Sequence, residues 1–153
     1  MLSANRTLKL NRAFIELKLY KLAHTDSDLL VTFAEADIIH VGDTFWNGIY
    51  PFIDYSTGGS IDGMIAASDV NLAAATDNSV IIPGHGKPAS NKSELKEFRD
   101  MRVDVRDKGR STEEIRPNAR TGCGRKTDRR LRHKVGQFVI DPPFFTKLVY
   151  EGV

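Results

Sequence analysis

Between Thr7 and Val41, and again from Ser79 to Ile82, the apolar residues gather into short runs rich in β-branched side chains, too brief to bury one face of a long helix. The chain is thereby committed to a sheet. From Thr7 to Tyr20, Ile15, Leu17 and Leu19 alternate with Glu16, Lys18 and Tyr20, which predicts one or two half-buried antiparallel strands. Leu29–Phe33 and Ile38-Ile39-His40-Val41 predict a hairpin joined through Ala34-Glu35-Ala36-Asp37. Ser79-Val80-Ile81-Ile82 predicts a buried strand that stops at Pro83-Gly84.

Helical periods lie between and after these runs. Ile61, Met64, Ile65, Ser68 and Leu72 share a helical face, with Ser60 placed to cap it. Leu95, Phe98, Met101, Arg102 and Val105 mark a second helix from near Ser93, and Gly109 is its expected stop. Ser111 and Glu114 form a capping box for a third helix, broken at once by Pro117. Asp141 caps a last helix with Pro142 in its first position and Phe145, Leu148 and Val149 as its apolar stripe. Strands alternating with helices give the α/β class, in which polar groups collect at strand ends.

At 153 residues and 41% apolar content, the chain has the length and the core material of one domain, 1–153. Its formal net charge is only +2, but eight Lys and Arg fall between Arg116 and Lys134 against one acid, Asp128. The basic stretch 116–137 shows neither helical nor strand period and reads as irregular. It offers a surface for an acidic partner, or it is a stretch never selected as structure. Nucleic acid is the weaker partner, because no aromatic residue there could stack on a base. The lone Cys123 cannot pair within the chain, and no run has the length of a membrane span or a signal peptide, so a soluble cytoplasmic protein is expected.

Three short motifs stand at strand ends: Ala23-His24-Thr25-Asp26-Ser27-Asp28, His40-Val41-Gly42-Asp43 and Ile81-Ile82-Pro83-Gly84-His85-Gly86. Asp26 and Asp28 suit loop organisation by side-chain to backbone hydrogen bonds. On a regular strand His40 projects to the opposite face from Asp43. His133 and Cys123 sit in the basic segment and are assigned no metal role.

The order His-Thr-Asp-x-Asp, Val-Gly-Asp and Pro-Gly-His-Gly places His24, Asp43 and His85 at spacings of 19 and 42 residues. From about Thr7 to about Gly109 this pattern resembles the C-terminal half of the metallo-β-lactamase superfamily. Gly42 to Gly48, followed by Tyr50-Pro51-Phe52-Ile53-Asp54, is similar to a bacterial hydrolase branch of it. The resemblance implies a partial αββα sandwich, with a mixed or antiparallel sheet and flanking helices. It implies up to two zinc or similar divalent ions, with His24 on the first metal, His85 on the second and Asp43 bridging. It implies metal-assisted hydrolysis of a small-molecule substrate, with Phe45, Trp46 and Tyr50 as candidate pocket residues.

The family's His-x-His-x-Asp-His motif is not found in this sequence, so each ion would have two protein ligands where catalytic zinc takes three. Weak metal binding and little hydrolysis are expected of this chain alone. Uncovered sheet faces predict self-association. The competing reading is a non-catalytic binding module that uses the basic segment.

Overall fold

A computed structural model describes residues 4–115 and 140–153. The basic segment 116–137, with Cys123, His133 and Pro117, lies outside the described residues. The strands are β1 (Arg6–Leu10), β2 (Ala13–Leu19), β3 (Leu29–Phe33), β4 (Ile38–Asn47) and β5 (Val80–Gly86). The helices are α1 (Ile61–Ala74), α2 (Lys92–Ile115) and α3 (Pro142–Tyr150). The five strands form one sheet in chain order, antiparallel from β1 to β4 and parallel between β4 and β5. α1 provides the crossover that a parallel pair requires. The result is a mixed sheet with flanking helices, part of an α/β sandwich.

The alternation read between Thr7 and Tyr20 resolves into two paired strands, with Leu8 opposite Ile15 and Arg6 opposite Leu17. The expected hairpin is present, closed by a short 3-10 turn at Ala34–Ala36 and by Asp37 in the left-handed region. Asp37 is held there by Ser79 and Thr76, whose hydroxyls donate to its carboxylate and keep that carboxyl below its ordinary range.

Pairing alternation gives the sheet two different faces. Leu30, Ile39, Val41 and Ile81 are buried in a core with Ile61, Met64 and Ile65 of α1 and Leu95, Phe98, Met101 and Val105 of α2. Ile15, Leu17 and Leu19 of β2 pair with Phe33, Val31 and Leu29 of β3, and all six are only half-buried. Leu8, Leu10 and Phe14 at that edge are exposed.

Three expectations are corrected. β4 runs on to Asn47 and β5 to Gly86, because their pairing survives irregularities on either side of Gly42 and resumes with Trp46 opposite His85. α2 passes through Gly109 without stopping. That glycine faces Tyr150 and Val153, and a Cβ there would lie 2.8 Å from the Tyr150 ring, so it serves close helix packing, not termination. Ser111 therefore starts no third helix; its hydroxyl donates to the Asp107 carbonyl one turn back, as in a helix interior.

The last helix is capped as expected, with Asp141 accepting from the Phe144 amide. Among the described residues, no helix is long and apolar enough to cross a membrane.

Candidate functional site

Asp43 and His85 stand on neighbouring parallel strands, and His24 stands on the loop between β2 and β3. Gly42, with φ at +51°, allows β4 to bulge just before Asp43. The bulge turns the Asp43 carboxylate between the two histidines. Its Oδ1 lies 3.2 Å from His85 Nε2 and its Oδ2 lies 3.7 Å from His24 Nε2. Each carboxylate oxygen serves a different ring.

Local packing fixes both ends of this arrangement. His24 Nδ1 lies 2.9 Å from the Phe52 carbonyl, which can only accept, so Nδ1 donates there and Nε2 is the ring nitrogen turned towards Asp43. The His24 loop is strapped to residues 52–60: Asp54 N–H donates to the His24 carbonyl, Ser60 N–H to the Ala23 carbonyl and Ser60 Oγ to the Leu22 carbonyl. Gly59 admits this approach, since a Cβ there would sit 2.2 Å from the His24 carbonyl oxygen. On the other side a Cβ at Gly84 would sit 2.2 Å from Asp43 Oδ1. Asp28 organises the loop as expected, accepting from the Thr25 amide at 2.8 Å.

The side chain of His24 is 14% exposed, that of Asp43 37% and that of His85 50%. The trio therefore opens to solvent on the His85 side. Trp46 leans on His85 with ring centroids 4.2 Å apart, and its indole N–H donates to the Asp43 carbonyl at 3.1 Å. Phe52, 38% exposed, meets His24 edge-on at 6.3 Å.

Of the three aromatic residues predicted to line a pocket, only Trp46 reaches the histidines. Phe45 is buried edge-on against Phe98, and Tyr50 is buried and stacked on Phe145. Phe52 was missed, because both its carbonyl and its ring act through a loop whose path the sequence does not disclose. His40 accepts from the Gly42 amide at 3.2 Å and so belongs to the bulge.

Two nitrogens and a carboxylate are the donor chemistry that zinc takes. Two donors held about 2.0–2.2 Å from one zinc at a tetrahedral angle stand roughly 3.3–3.6 Å apart, near the separations found here. Their number falls short. Among the described residues, no group of three or more His, Cys, Asp or Glu is arranged to hold one metal ion.

No family sequence model matches the chain, and no curated protein matches it in sequence. Solved structures do. The stereoselective inverting sec-alkylsulfatase Pisa1 from Pseudomonas sp. superposes with a TM-score of 0.66 at 15% identity, over 99% of this chain and 26% of that one. A metallo-β-lactamase family protein from Thermus thermophilus superposes with a TM-score of 0.59 at 12% identity, over 72% and 37% of the two chains. For a metallo-β-lactamase from Pontibacter korlensis the values are 0.55 and 14%, over 68% and 48%. The fold is a part of that of the metallo-β-lactamases. The chain spans between a quarter and a half of the length of these metallo-β-lactamase-fold structures.

Proposed function

We propose that this chain supplies three ligands, His24, Asp43 and His85, to a divalent-metal centre of a hydrolase acting on a small-molecule substrate. The observation that carries this reading is the division of the Asp43 carboxylate between the two histidines, together with the Phe52 carbonyl, which takes His24 Nδ1 and leaves Nε2 as the nitrogen facing Asp43. His24 would hold one zinc or similar ion, His85 a second, and Asp43 would serve both. A bridging anion offsets repulsion between two such cations. When bound, the metal lowers the pKa of a coordinated water to about 7 and polarises the substrate's carbonyl or phosphoryl oxygen.

The three residues alone leave each ion below the three protein ligands usual for catalytic zinc, so further donors are required from residues beyond them. Efficient hydrolysis therefore belongs to an assembled site, with weak activity at most from these ligands by themselves. The half-buried apolar face of β2 and β3 supports the same view. A partner layer, or a second copy of the chain, would cover it.

Thermal unfolding with and without zinc tests the metal reading. A ligand at 100 times its Kd stabilises the folded state by about 2.7 kcal/mol, so a clear upward shift in Tm is expected. His85→Ala and Asp43→Ala should each remove most of that shift. An unchanged Tm at millimolar zinc overturns the metal reading.

A further inference from the structure

Arg102, in the middle of α2, is wholly buried, yet the partners its nitrogens reach are neutral. Nη1 donates to the Thr44 carbonyl at 3.4 Å and Nη2 to Ser68 Oγ, while Nε has no partner. The Phe98 ring lies 4.3 Å from the guanidinium carbon. Burial, with the like charge of Arg99 second, holds this group down to about 9. A cation withdrawn from water with no carboxylate hydrogen-bonded to it, and only the charge of Asp69 to offset its burial, is costly, so an apolar residue of similar volume would satisfy the core better.

What the arginine touches supplies the reason for its presence. Thr44 is the residue directly after Asp43, and the Phe98 ring that Arg102 covers meets Phe45, the next one, at 5.0 Å. Thr44 is also held through its side chain: Oγ1 donates to the Val41 carbonyl at 2.6 Å and accepts from Asn71 Nδ2 at 2.9 Å. Asn71 in turn accepts from the Tyr20 hydroxyl at 2.6 Å. These contacts fall on the irregular part of β4 between Gly42 and Trp46, where ladder pairing alone does not fix the backbone.

We propose that Arg102 is a positioning residue, which anchors β4 at Thr44 and Phe45 so that the Asp43 carboxylate stays between His24 and His85. The proposal rests on the metal reading of that trio but can be tested without metal. Three forms of the 153-residue chain are compared: the parent, Arg102→Met and Arg102→Lys. Arg102→Met should melt at or above the parent, because a buried charge with no hydrogen-bonded counter-ion is gone, and yet bind zinc at least ~10-fold more weakly in calorimetry. Arg102→Lys keeps the charge but not the two-pronged reach, and should also bind more weakly.

In the zinc-free chain, the ring nitrogen signals of both His24 and His85 should move in Arg102→Met. A merely structural role would lower Tm and leave the zinc affinity of the folded protein unchanged. That result in either variant overturns the proposal. If Arg102→Met does not fold, the affinity of Arg102→Lys decides. If the parent binds no zinc, the metal reading fails by itself, and the histidine signals decide for Arg102: unmoved signals overturn its role.

Discussion

At position 84 a single methyl group decides whether Asp43 can stand where it does. A Cβ there would approach Asp43 Oδ1 to 2.2 Å and the Gly42 carbonyl oxygen to 2.8 Å. Gly84→Ala should therefore destabilise the chain by about 1–3 kcal/mol and abolish any zinc-dependent shift, read in paired thermal melts. Survival of both would mean that β5 can retreat without loss. The sequence showed the residue types of the trio plainly, because His24, Asp43 and His85 each follow an apolar strand run. It could not show which ring nitrogen of His24 faces Asp43, which a backbone carbonyl at Phe52 settles by taking Nδ1. Nor could it separate Trp46 from Phe45 and Tyr50, since adjacent aromatics on an irregular strand give no reliable alternation of faces.

Among the elements, α2 shows how one residue type can carry opposite meanings. Glycine after an apolar period ordinarily marks a helix end, and in an exposed interior it costs about 1 kcal/mol against alanine. Gly109 instead sits mid-helix beneath Tyr150 and Val153 of the C-terminal segment. Gly109→Ala should lower stability in urea unfolding despite the better helix propensity, because the α2–α3 contact must open. A gain in stability would show that Tyr150 moves aside freely. The strands were legible as apolar runs, but their true ends were not. Gly42 and Pro83 look like stops, yet they pair with each other and allow β4 and β5 to continue to the site.

On the scale of the whole molecule, the two faces of the sheet differ sharply. One is closed by α1 and α2, whereas the other carries Ile15, Leu17, Leu19, Leu29, Val31 and Phe33 only half-buried. Such a face favours association, so sedimentation should show mass rising with concentration, and Leu17→Lys with Val31→Lys should suppress it. A concentration-independent monomer would mean that this face is covered within the chain. The amphipathic strands made this face foreseeable, but not its position: β1 and β2 follow each other at one sheet edge, and only topology places them there.

The parallel union of β4 and β5 also sets an order of events in folding. Asp43 and His85 meet only after the intervening chain, including all of α1, has crossed back over the sheet. Closing so distant a pairing is slow, because loop entropy is lost before any contact forms. An unfolded chain thus offers a metal ion separate side chains, never the pair, and a metal held by that pair would act as a latch. It would slow unfolding and leave the rate of folding to the strands.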